Sequence, residues 1–341
     1  MNQFHFHLRT RSSGFALAAV LWLLAGLTIL AAMISQSNQI LAQRQAQLKL
    51  RADAEQEFLS SRSEALFWLS SSRATQDGFG WPGQLLKVDG RGYASAGKST
   101  VHLQDVRGLL SLNRPKREML ARLLVRCGVD ESKNDSLLDA LEDYAEAGEL
   151  KRLNGAKSLE YSMAGLPAPR YAPLLAEPEL WRVYGWKQIQ PTWDERHCSE
   201  DVTVFGDSRF NPGTATPGTL AAYGLTTEQI ALVGNERDAG ENVLINLLQN
   251  QMQGKGFMGL PEGRFPSRTF RVTHTMPDMP LVFRYELALK TNVEGIPWEI
   301  SSPRHLPISS VMMPAGRANW PKIDQISETD KNAITQPILP F

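Results

Sequence analysis

Neither sign of charge is in excess: 36 Lys and Arg stand against 36 Asp and Glu. A zero net charge argues against nucleic acid as the main partner, and no block of like charge marks an interaction tail. Histidine is sparse. The six residues (5, 7, 102, 197, 274 and 305) include no pair at metal-ligand spacing. His197 and Cys198 are adjacent, but adjacency does not make a nucleophile and its base. There is no Gly-x-Ser-x-Gly elbow and no phosphate loop; the glycine-rich stretch 78–97 lacks the lysine and following helix of such loops. A structural role, not an enzymatic one, is expected. Cysteine occurs only as Cys127 and Cys198. In an oxidising compartment the two can pair. The alternative is two buried free thiols, and spacing alone does not say whether the backbones approach closely enough.

The longest absence is of charge itself. Residues 12–43 carry no charged side chain, and Gly14 to Ile34 is almost wholly apolar. That is long enough to cross a bilayer as one helix. A short basic segment with His5, His7, Arg9 and Arg11 precedes it. The arginines hold that end in the cytoplasm, so the large remainder faces outward, into the periplasm of a Gram-negative cell. A secretory signal peptide would have a shorter apolar core and a small-residue cleavage site after it. Here Ser35 to Ile40 continue the helix instead. At the near end, Arg11-Ser12-Ser13-Gly14-Phe15 sets a glycine before a bulky apolar residue, where basic leader meets apolar run. This resembles the processing site of type IV pilins and type II secretion pseudopilins. The resemblance implies prepilin peptidase cleavage between Gly14 and Phe15 and N-methylation of Phe15. The other reading of the Gly-Phe pair is an uncleaved anchor. Most pseudopilins carry Glu at mature position five; counted from Phe15, this chain has Ala19. An intramembrane carboxylate needs a partner, and a subunit that starts a filament meets no earlier subunit to supply one.

Proline and glycine are also missing from residues 35–72. Leu41, Leu48, Ala52, Leu59 and Leu66 fall within about 20° of one common direction at 100° per residue, so a helix from Phe15 to about Ser71, roughly 85 Å long, is expected. Its second half should lie against a globular head. Residues 73–98, with six glycines and Pro82, read as a loop, and Ser99 to Val106 as a strand. Helices are expected from Lys116 and over Ser136 to Leu150, with a short one at Glu179 to Gly185. Asn113 and Asn211 precede helical segments as candidate caps, suggesting two helical modules. Thr269–His274, Leu281–Lys290 and Trp298–Ser301 alternate as an antiparallel meander. Residues 313–341 read as a loose tail.

The order of these parts resembles the minor pseudopilin family called general secretion pathway protein K. The marker segments are Gly108-Leu109-Leu110-Ser111-Leu112-Asn113 and, more loosely, Asn211-Pro212-Gly213-Thr214-Ala215. Between them stand Glu142-Asp143-Tyr144-Ala145-Glu146, Gly155-Ala156-Lys157 with Tyr161, Glu179-Leu180 and Val183-Tyr184-Gly185. Lys157 departs from the Glu the family favours. The resemblance implies an α+β fold: a pilin-like long N-terminal helix packed on a small antiparallel sheet, with a large inserted all-helical domain of two SAM-like modules. The implied boundaries are a leader at 1–14, the helix at 15–72 (15–34 transmembrane) and a first β part at 73–107. The helical domain follows at 108–262 (modules 108–205 and 210–262), then strands at 263–312 and the tail. The implied role is the tip of the type II secretion pseudopilus, with minor pseudopilins I and J and the major pseudopilin as partners. The implied place is the inner membrane, with the head in the periplasm. Some members bind calcium, for which Glu142, Asp143 and Glu146 are the candidate ligands; solvated helix charges explain the same residues. Competing readings are a membrane-anchored binding or sensor module and a type IV pilus minor pilin.

Overall fold

The computed structural model describes residues 13–76, 78–81, 84–148, 150–206, 209–237, 265–277, 279–290, 296–312 and 317–320. The basic leader, the end of the second expected module and most of the tail lie outside these. One helix, α1, runs Ser13–Ser71. The chain forms two compact units, Met1–Gln56 and Glu57–Phe341. Within the described residues the first holds only the N-terminal part of α1. The second begins with its last turns.

After α1 come four short strands, β1 (Ala74–Thr75), β2 (Gly78–Trp81), β3 (Gln84–Leu86) and β4 (Asp89–Ala94). This corrects the loop expected over 73–98. Gly78 and Gly80 adopt φ of +148° and +133° inside β2, and a Cβ on either would strike a backbone carbonyl of β3. Glycine here permits close strand pairing and does not break it. β5 (Thr100–Asp105) follows, and after a long excursion come β8 (Thr269–Thr275), β9 (Leu281–Leu289), β10 (Trp298–Pro307) and β11 (Arg317–Asn319). They form a six-stranded sheet in the order β10-β9-β8-β5-β4-β11. All its pairs are antiparallel except β11 with β4. The parallel edge strand is a second correction, because β11 falls within the expected tail.

Strand alternation gives the sheet two buried faces. Leu103, Val272 and Tyr285 stand side by side in register. With Phe270 and Leu287 they join Ala65, Trp68 and Leu69 of α1 in one core. The face of α1 turned to the sheet also holds Phe58 and Ser61, whereas Leu59 is half exposed. The contact line is therefore turned by about one residue, or 100°, from the expected leucine line, of which only Leu66 is buried among these turns. Phe58, Ala65 and Leu69 carry the buried contact in place of the leucine line.

His274 lies on this face, fully buried, with Ser61 Oγ at 2.8 Å and Tyr285 Oη at 3.1 Å. Burial, with smaller contributions from Arg62 and His102, pushes its pKa from 6.5 down to about 3. Below its ordinary pKa the unfolded chain binds a proton that the folded one refuses, so stability falls as pH drops. The expected loss from this group at pH 5 is about 2 kcal/mol. Urea titrations at about pH 7.5 and about pH 5 should show a larger acid loss for the wild type than for His274→Gln; equal losses would contradict the assignment.

Between β5 and β8 the described residues hold six α-helices: α2 (Arg117–Arg126), α3 (Asn134–Ala145), α4 (Ser158–Met163), α5 (Gln190–Glu195), α6 (Pro217–Ala222) and α7 (Thr227–Glu236). A two-stranded parallel ladder, β6 (Leu110–Ser111) with β7 (Val202–Thr203), runs among them. A second core, separate from that of the sheet, gathers Leu120, Leu123, Leu124, Leu138, Leu141, Trp186 and Trp193. Cys127, just after α2, is disulfide-bonded to Cys198, with Cα atoms 6.2 Å apart. α3 ends at Ala145, five residues short of the expectation, where the chain turns extended at Glu146. The short helix expected at 179–185 is a 3-10 turn over Glu177–Arg182. Neither asparagine caps a helix. Asn113 bonds Leu174 and Val204 across the core, and α6 is capped by Thr216. Asn113 is held by partners far along the chain, whereas Asn211 uses its amide oxygen in a local turn, accepting from the Gly213 N–H at 3.0 Å.

Candidate functional site

The apolar N-terminus of α1 is built as a rod. Its side chains from Phe15 to Ile34 are exposed, Phe15 itself by 81%. The helix is long and apolar enough to cross a membrane. The only hydroxyl between Gly14 and Ile34 belongs to Thr28, which donates to the Ala25 carbonyl at 2.8 Å. Every backbone polar group of a membrane segment must be satisfied from within, and a hydroxyl turned onto its own helix meets the same demand. Gly14 and Phe15 are both helical here, and Ala19 lies on the exposed rod.

The two marker segments of the head meet at one point. Asp105, the last residue of β5, is fully buried. One carboxylate oxygen accepts from the backbone N–H groups of Arg107 and Ser267, each at 3.1 Å. The other accepts from Thr214 Oγ1 at 3.2 Å and Asn211 Nδ2 at 3.4 Å. Desolvation raises its pKa against the pull of these bonds. Gly108 lies so close to the Thr214 carbonyl that a Cβ would stand 2.2 Å from it. One carboxylate thus ties the exit from the sheet, the segment 211–214 and the return into β8. In sequence Asp105 is only part of the strand expected over Ser99 to Val106; its signal is a carboxylate in alternation with Val101 and Leu103.

The second buried face of the sheet is ionic. Arg271 of β8 bonds Glu286 at 3.1 Å and the carbonyls of Ser199 and Val202 at 2.9 and 2.7 Å. Desolvation opposes its charge, but Glu286, Glu177 and Glu200 outweigh it and raise the guanidinium's pKa. Arg284 of β9 grips Glu200 with both terminal nitrogens, at 2.8 and 2.9 Å. Arg304 of β10 reaches Glu177 at 2.7 Å. Three arginines therefore fasten the sheet to the helical segment, across a seam that neither apolar core covers. Sequence alternation marked these strands but assigned no role to their arginines.

The acidic stretch on α3 already has cations among its carboxylates. The Arg152 guanidinium reaches Glu142, Asp143 and Glu146 at 2.7, 2.9 and 2.7 Å. Lys157 Nζ donates to the carbonyls of Asp143 and Glu146 at 2.9 and 3.0 Å. Among the described residues, no group of three or more His, Cys, Asp or Glu side chains is arranged to hold a metal ion.

Residues 102–190 match the family model described as type II secretion system (T2SS), protein K. These residues run from within β5 to the start of α5 and contain Gly108–Asn113 and the acidic stretch. A search of curated proteins finds no match in sequence. Among solved structures, the chain is similar to one in the crystal structure of the GspK-GspI-GspJ complex from the enterotoxigenic Escherichia coli type 2 secretion system. That match has a TM-score of 0.46 and 15% identity, and covers 77% of this chain and 98% of the other.

Proposed function

We infer that this chain is a minor pseudopilin of the protein K type, at the tip of a type II secretion pseudopilus. The observation that carries this reading is the protein K match over residues 102–190 in a chain whose N-terminal helix is long and apolar enough for a membrane. In this reading prepilin peptidase cuts between Gly14 and Phe15, Phe15 is N-methylated, and residues 15–34 anchor the subunit in the inner membrane. The head, residues 73–312, lies in the periplasm, where the oxidising setting suits the Cys127–Cys198 bond. Once extracted from lipid, the rod packs against the corresponding helices of minor pseudopilins I and J, and the major pseudopilin filament follows below. Ala19 in place of a glutamate lets the subunit start a filament without an earlier neighbour. The helical segment, taken as an inserted domain over 108–262 with two SAM-like modules, gives the tip its bulk and stops growth past it.

Processing is the direct test. The chain is expressed with a prepilin peptidase, extracted from membranes and its N-terminus read by mass spectrometry. The expected start is N-methylated Phe15. A start at Met1, or loss of the whole apolar helix, would sink the pseudopilin reading; the former would favour a plain membrane-anchored binding module.

A further inference from the structure

We propose that Arg152 and Lys157 stand in for a divalent cation at the acidic end of α3, so that the loop 146–157 closes on the helix without calcium. The likeness to protein K raises calcium as a ligand here, and Glu142, Asp143 and Glu146 are the carboxylates it would use. Calcium sites combine such carboxylates with backbone carbonyl oxygens. Both kinds of oxygen are present, and both are already engaged. Arg152 turns its three nitrogens outward, Nε to Glu142, Nη1 to Asp143 and Nη2 to Glu146. An ion placed among these carboxylates would have to displace the guanidinium. Lys157 Nζ donates to the backbone carbonyls of Asp143 and Glu146, the neutral oxygens of two of the same residues.

The loop is drawn tight around this arrangement. The Asp143 side chain is fully buried, and it also accepts from the Arg152 backbone N–H at 3.1 Å. A Cβ on Gly155 would stand 1.9 Å from Asp143 Oδ2, so only glycine lets the chain pass this close. One turn earlier in α3, Asp139 accepts from the Asn154 N–H at 3.0 Å and pairs with Arg117 at 2.7 Å. The returning part of the loop, 152–157, is thereby fastened to α3 and its C-terminal end by donors that belong to the chain. A chelator removes a bound ion; it cannot remove these. The inference concerns the chemistry of this loop and stands whether or not Gly14–Phe15 is cleaved.

The full chain in detergent micelles provides the test, with calcium alone as the probe. After dialysis against EGTA, adding about 5 mM calcium should move the wild-type melting temperature by no more than about 1 °C. Chymotryptic cleavage at Leu150 and Leu153, which are 93% and 91% exposed, should keep the same rate. Arg152→Ala in EGTA should raise that cleavage rate about tenfold, because the loop then opens more often. Lys157→Met, which keeps an apolar stem and loses the charge, should raise it less. A calcium-induced rise of about 4 °C or more in the wild type, or cleavage slowed several-fold by calcium, would overturn the proposal. So would an Arg152→Ala chain, folded by circular dichroism, whose loop is cut no faster than the wild type's. If that variant does not fold, the wild-type calcium titration decides by itself.

Discussion

Arg284→Ala is expected to destabilise the head by about 3–5 kcal/mol, the usual cost of stripping one partner from a buried ion pair. The Arg284 side chain is 3% exposed and that of Glu200 17%. Both guanidinium nitrogens of the fork are bonded to Glu200, and the third donates to Thr273 Oγ1 at 2.9 Å. Removing the arginine leaves Glu200 with its charge in a seam that admits little water. The penalty is the desolvation of that unpaired charge, not the value of the bond. The pair Arg284→Met with Glu200→Gln should therefore cost far less than either change that leaves an ion behind. Urea unfolding of the two single variants and the double variant gives the coupling, expected at about 1.5 kcal/mol or more. A single-variant cost below about 1 kcal/mol would mean a solvent-screened pair and would remove the seam as the fastening of sheet to helical segment.

Loss of the Cys127–Cys198 bond should be the other large effect. The two residues are 71 apart in sequence, and closing a loop of that length in the unfolded chain is worth about 4 kcal/mol in the chain-entropy account. The native surroundings need no rearrangement to lose it, since both cysteines are already buried in the helical core. The double variant Cys127→Ala, Cys198→Ala should melt about 10 °C below the oxidised wild type, taking a few degrees per kcal/mol for a head of this size. Reducing agent should have little effect on the variant. A difference within about 2 °C would show that the bond adds nothing to a core that already holds those positions.

These two expectations share a feature that bears on what was readable in advance. Arg284 and Glu200 are 84 residues apart, and Cys127 and Cys198 nearly as far. Composition and spacing name such residues without pairing them. The same holds for Asp105, whose partners in the segment 211–214 and at 267 arrive from two places more than 100 residues along the chain. Glu142, Asp143 and Glu146 show the limit from the other side. Their spacing admits either an ion or solvent, and only the fold shows that the chain brings Arg152 and Lys157 back to them across a loop.

What could be read locally held up where one physical constraint dominates over short range. A charge-free apolar run without proline has to be a helix, because in lipid it has no other way to satisfy its backbone; α1 begins and ends within two residues of its expected limits. Strict alternation in 269–274 and 281–290 leads to β8 and β9, since a pleated strand buried on a core must repeat every second residue. Glycine misled, because it both breaks strands and permits their closest pairing, and only the neighbouring strand of β2 shows which applies. The face that α1 turns to the sheet, the second buried face with its three arginines, the Asp105 junction and the ion pairs of Arg152 appear only in the tertiary structure. Each depends on which distant groups share a space too dry to leave a charge alone, and that is a property of the folded chain as a whole.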